Sequence, residues 1–146
     1  MHFNFESVNE DFADVVQTWN YEGEYCCFDI DKNKRSIDNI LIAEDFDTFI
    51  VLDEIKEPVG FLACTFGDDG IIEMENFLSP DMLGKGLGVD FISECIDFVL
   101  DHYDYSHSII DLVVGSTNKK AIKVYERAGF TVVDECENWI EMQIEL

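Results

Sequence analysis

The chain has 146 residues, enough for one domain with a sizeable core, and 47% of them are hydrophobic, including 12 Phe and 2 Trp; this excludes a disordered acidic chain. Its 32 Asp and Glu against 9 Lys and Arg give a formal charge of -23, which argues against nucleic acid or an anionic membrane as a partner. Five cysteines without metal-ligand spacing, with no basic-then-apolar leader and no bilayer-length apolar run, predict a cytoplasmic protein with reduced thiols and no metal.

In chain order, residues 9–19 ("NEDFADVVQTW") place Phe12, Val15, Val16 and Trp19 at helical spacing behind Asn9, a capping residue. Residues 21–36 carry no clear period and read as a loop, with a short helix expected near 36–42. The stretches 47–54, 58–66 and 70–79 are rich in β-branched and aromatic residues. Separated by "IKE" and "GDDG", they read as three antiparallel strands. Residues 89–103 predict a helix with Val89, Ile92, Ile96, Val99 and Tyr103 on one face and Asp90, Glu94, Asp97 and Asp101 on the other. A short apolar strand (108–115), a helix (118–130) stopped by Gly129 and two strands (131–135 and 139–146) follow. In the last of these Ile140, Met142, Ile144 and Leu146 alternate with polar residues and Trp139, a strand that could pair between two copies in a homodimer. The order is α+β in a single domain, with a β-α-β-α-β-β second half.

Two stretches carry chemistry. In "SPDMLGKGLGVDF" (79–91), Gly84, Gly86 and Gly88 lie between a strand end and a helix start. Glycines there let successive backbone N–H groups converge on an anion, with the helix dipole behind them; an ordinary glycine-rich turn is the plainer alternative. The spacing is that of neither a P-loop nor a dinucleotide fingerprint. In "NKKAIKVYERAGF" (118–130), Asn118, Ala121, Tyr125 and Gly129 share one helix face. Asn118 can cap the helix or bond an amide-bearing ligand, and Tyr125 can pack in the core or present its phenol. Lys85, Lys119, Lys120, Lys123 and Arg127 cluster around these two stretches in an otherwise acidic chain.

Together the two stretches resemble the acetyl-CoA-binding core of the GNAT superfamily of N-acetyltransferases, over residues 58–135. The resemblance implies a mixed, mostly antiparallel central sheet of about seven strands flanked by helices, in one domain. Residues 1–57 would form the variable acceptor side, 58–135 the acetyl-CoA-binding core and 136–146 the closing strand. It implies that the strand end at Leu78-Ser79-Pro80 offers backbone groups to the pantetheine arm and the acetyl carbonyl. The amides of Leu83, Gly84, Lys85, Gly86, Leu87 and Gly88 would bind the pyrophosphate, and Asn118 the pantetheine arm. Tyr125 would protonate the departing thiolate. Leu83 departs from the family pattern, which has Gln or Arg there, so somewhat weakened coenzyme binding is expected.

Acyl transfer by direct attack needs a neutral amine held against the thioester and a base to take its proton. Glu73 and Glu75 alternate onto one strand face and are the candidates, Glu75 being nearer the acetyl end. With a bulge, Met74 and Asn76 would point inward instead. On the acceptor side, Trp19, Tyr21, Glu24 and Tyr25 could frame an aromatic, anionic pocket for a cationic amine, or pack their rings on the core with the acids outward. The expectation is an N-acetyltransferase with acetyl-CoA as co-substrate and a primary, cationic amine of a small molecule, protein or peptide as acceptor. The alternative is a non-catalytic GNAT-fold module that binds acetyl-CoA.

Overall fold

The computed structural model describes residues 2–19 and 46–146. Its elements are β1 (Asn4–Ser7), α1 (Glu10–Gln17), β2 (Phe46–Leu52), β3 (Pro58–Phe66), β4 (Ile72–Leu78), α2 (Gly88–His102), β5 (Ile109–Gly115), α3 (Lys119–Ala128), β6 (Thr131–Glu135) and β7 (Trp139–Glu145). One turn of 3-10 helix, Pro80–Met82, links β4 to the glycine loop.

The strands form one seven-stranded sheet in the order β1-β2-β3-β4-β5-β7-β6. Every pairing is antiparallel except β4 with β5. Local chemistry sets the turns. Asp53 Oδ1 accepts from the N–H groups of Ile55 and Glu57 at 2.9 Å each, closing the β2–β3 connection. Asp69 Oδ1 accepts from Ile71 N–H at 3.0 Å in the β3–β4 turn. Asn9 caps α1 by accepting from Phe12 N–H at 3.0 Å, as its position predicted. Gly129, at φ 112°, takes the left-handed conformation that ends α3.

At its centre the sheet is covered on both faces, while β6 at the edge is exposed. β3 is buried from Val59 to Cys64 on both sides, which explains its continuous apolar sequence. One face meets α2 and α3 in a core that includes Leu62, Cys64, Met74, Phe91, Leu112, Phe130 and Met142. The other face carries a smaller cluster of Val16, Ile50, Leu52, Phe61 and Ala63, with Phe12, Trp19 and Phe77 packed against it. Each fully buried Phe or Leu contributes about 1.5–3 kcal/mol relative to an exposed one.

One strand was not foreseen and two expectations are corrected. The strand β1 escapes the sequence because "NFES" carries no alternation of its own; pairing with β2, from Asn4–Leu52 to Ser7–Phe49, makes it a strand. The buried face of α2 is Phe91, Ile92, Cys95, Ile96 and Val99, so the apolar stripe turns toward Phe91 and Cys95, and Val89 and Tyr103 are only half-buried. The final strand is not available for pairing between copies, because β7 lies between β5 and β6; the sheet edge on that side is β6. The short helix expected near 36–42, and Tyr21, Glu24 and Tyr25, lie outside the described residues. Among the described residues no helix is long and apolar enough to cross a membrane.

Candidate active site

The site begins with the alternation of β4. Ile72, Met74, Asn76 and Leu78 are buried, while Glu73 is exposed and Glu75 and Phe77 are half-buried. Met74 and Leu78 belong to the core under α2 and α3, so Asn76 faces that side as well, and the two glutamates face the side that carries α1. The strand pairs with β3 along its whole length, from Gly60–Leu78 to Phe66–Ile72. Among the described residues its ladder to β5 registers only at Glu73–Asp111, near the start of both strands. Beyond that point a cavity of about 200 Å³ opens beside Asn76, Phe77 and Leu78.

The rest of the cavity wall comes from the glycine loop and from one face of α3. Gly84 and Gly86 have φ of 72° and 75°, in the left-handed region that a side chain strains. A Cβ on either would meet nothing within 4 Å among the described residues; glycine is required there by conformation, and both positions are exposed. Gly88 serves a different purpose, since a Cβ would come within 2.8 Å of Val124 Cγ1; its absence lets α2 lie close on α3. The first turn of α2 has no side-chain cap, so its N–H groups and dipole remain for an anion supplied from outside the helix.

From α3 come Lys120, Ala121, Val124 and Tyr125. Asn118 is 4% exposed and caps the helix, its Oδ1 accepting from Ala121 N–H at 3.2 Å. That bond orients the first turn, and Asn118 itself is not among the residues lining the cavity, nor is the exposed Lys85. Lys120, on the wall, is the cation that sequence reasoning did not single out for the site.

Tyr125 is 7% exposed and its ring meets Phe130 edge-on at 5.8 Å between centroids. The phenol donates to Asn76 Oδ1 at 3.4 Å. Burial foremost, with Cys95 and the Glu75 carboxylate adding to it, pushes the phenol well above its ordinary range. The group is therefore a neutral proton donor through neutral and mildly alkaline pH. Asn76 was not proposed for the site from sequence except as a residue a bulge would turn inward; no bulge is needed, because the regular alternation of β4 places it there. Its Nδ2, buried, has no partner among the described residues, an arrangement that costs about 1–3 kcal/mol when nothing compensates it. The readable signal was the phase of the strand: a single amide among Ile72, Met74 and Leu78.

Glu75 is near enough to Tyr125 to act on its ionisation, although its side chain leaves β4 on the face away from α3, which carries Tyr125. On Glu75's face, Trp19 meets the Phe77 ring edge-on at 6.2 Å, and Phe77 stacks on Phe61 at 5.0 Å. The structure thus brings together Leu78, Leu83, Gly84, Gly86, Leu87, Gly88 and Tyr125 around one cavity, with Glu73, Glu75 and Trp19 on the other side of β4. An apolar trough containing one orphaned amide, with a left-handed glycine loop at its wall, fits the residues to coenzyme A: a mostly apolar arm with amides, joined to phosphates.

A protein-family comparison matches residues 10–130 to the model described as the acetyltransferase (GNAT) family. An uncharacterised N-acetyltransferase of Methanocaldococcus jannaschii is 33% identical over 109 residues, covering 70% of this chain and 47% of that relative. The chain thus spans about half the length of the curated relative it matches. Among solved structures, a spermidine N-acetyltransferase from Vibrio cholerae in complex with CoA and spermine has a TM-score of 0.71 at 17% identity, covering 98% of this chain and 95% of that one. AAC(6')-Ib in complex with ribostamycin and coenzyme A has a TM-score of 0.75 at 18% identity, covering 99% and 94%. The fold is shared with both, and the chain belongs to the GNAT acetyltransferase family.

Proposed function

We propose that the protein is an acetyl-CoA-dependent N-acetyltransferase acting on a primary, cationic amine. The observation that carries this reading is the buried, neutral Tyr125 phenol on the wall of the cavity whose other wall is the Gly84–Gly88 loop. Acetyl-CoA supplies an activated acyl group, whose transfer to an amine forms an amide and releases a thiol. The amides of the loop and the start of α2 hold the phosphates, with Lys120 adding charge. Leu78, Leu83, Leu87 and Val124 exclude water from the arm. Tyr125 gives its proton to the sulfur that leaves, and its raised ionisation range keeps that proton available.

Before attack the acceptor must lose a proton, and Glu75 takes it, directly or through water; Glu73, more exposed, is placed further out along the same strand. Both lie on the face of α1 and Trp19, so the acceptor approaches from the side formed by the N-terminal part. A formal charge of -23 raises the local concentration of a cationic amine, and the two solved structures above hold spermine and ribostamycin. A small polyamine-like molecule fits this best; a peptide amine is the second acceptor to try.

The test is thiol release from acetyl-CoA against a panel of amines. Amine-dependent release that falls about 100-fold in Tyr125→Phe supports the reading, the usual size of a general-acid effect. Acetyl-CoA binding with no release for any amine would assign the chain to a binding module without turnover.

A further inference from the structure

The amide of Asn76 is the feature of the cavity that packing does not explain. It stands in β4 between Met74 and Leu78, apolar side chains turned to the same core, and is itself 7% exposed. A leucine there would fill similar space without burying polar atoms, whereas an amide is unfavourable unless both ends are matched. Oδ1 is matched by the Tyr125 hydroxyl at 3.4 Å, while Nδ2 meets no acceptor among the described residues. The side chain lies on the cavity wall beside Tyr125, and a hydroxyl that donates to Oδ1 polarises the N–H bonds of the same amide. Such a donor is held ready for an acceptor that arrives with the ligand.

We propose that the Asn76 amide donates to the carbonyl oxygen of the bound thioester, and so makes the site selective for the acylated coenzyme over forms without that carbonyl. The inference rests on the coenzyme reading above. A neutral donor suits a carbonyl, whereas the phosphates are served by the loop amides. The phenol assigned to the departing sulfur is bonded to this same amide, and in a thioester the sulfur and the carbonyl oxygen share one carbon. That oxygen gains negative charge as the amine attacks, so a donor placed there grows stronger toward the transition state.

The experiment is calorimetric titration of the intact chain, without amine, by acetyl-CoA, by CoA and by S-ethyl-CoA, a thioether of similar shape that lacks the oxygen. The wild type is expected to prefer acetyl-CoA over S-ethyl-CoA about tenfold, the size of one buried hydrogen bond. Asn76→Leu should reduce that preference below about twofold while CoA affinity holds within about threefold. Asn76→Ala, which cannot overfill the site, should show the same loss. A wild-type preference below twofold overturns the inference without any variant. A preference preserved in the variants, or an equal loss for all three ligands, overturns it while leaving the coenzyme site in place. Failure of the wild type to bind any of the three removes the coenzyme reading and this inference together.

Discussion

The two sides of β4 encode their roles in different ways. On the α3 side the site is written largely in backbone: left-handed glycines at 84 and 86, an uncapped helix start and one helix face carrying Ala121 and Tyr125. On the α1 side it is written in side chains, Glu73, Glu75, Phe77 and Trp19, on a strand and at a helix end that many sequences could build. A coenzyme that does not change needs a backbone cradle, and an acceptor that differs between proteins is met by exchangeable side chains. Substitutions on the two sides should therefore separate coenzyme affinity from acceptor chemistry.

The largest separation is expected from the acceptor side. Glu75→Gln should lower the rate at pH 7 about 100-fold and leave acetyl-CoA affinity unchanged. Because the amine must then lose its proton unaided, the midpoint of the rising pH profile should move up toward the amine's own pKa. An unchanged profile takes the base role from Glu75. As the proposed acid, Tyr125 would set the opposite limb: burial foremost raises its pKa above the ordinary 10.0, so it stays protonated up to about that pH. The wild-type rate should therefore show no alkaline fall below that pH; a falling limb near pH 8 that vanishes in Tyr125→Phe would contradict the raised value.

On the coenzyme side, Gly86→Ala puts a Cβ into a left-handed residue at a cost of about 1–2 kcal/mol. Coenzyme affinity should drop about tenfold, read by titration with CoA, with the pH profile unmoved. If the pH profile moves instead, the division between the two sides fails. The smallest effect is expected at Leu83, half-buried on the cavity wall where the family pattern is polar. Leu83→Arg should tighten CoA about fivefold at low salt through one added partly exposed charge contact, and the gain should shrink as salt is raised.

What the sequence revealed follows the same division. The glycine loop and α3 were legible because each depends on local rules: positive φ, helix periodicity, a left-handed stop at Gly129. Glu73 and Glu75 were legible as a pair on one face, because β4 alternates without a bulge. Asn76 was hidden because its importance lies in the phenol 49 residues away that reaches its amide, and sequence spacing carries no record of that meeting. β1 was hidden for a similar reason, since its partner β2 lies beyond residue 45. Asn118 was seen, but its side-chain oxygen accepts from Ala121 N–H in its own helix, a local role that the same letter serves equally well.

The central claim is that the cavity between the end of β4, the glycine loop and α3 holds acetyl-CoA. Titration of acetyl-CoA into the intact protein tests it most directly. Saturable heat with one site per chain, weakened by Gly86→Ala and unaffected by Glu75→Gln, is the predicted result; no binding at millimolar acetyl-CoA would contradict it.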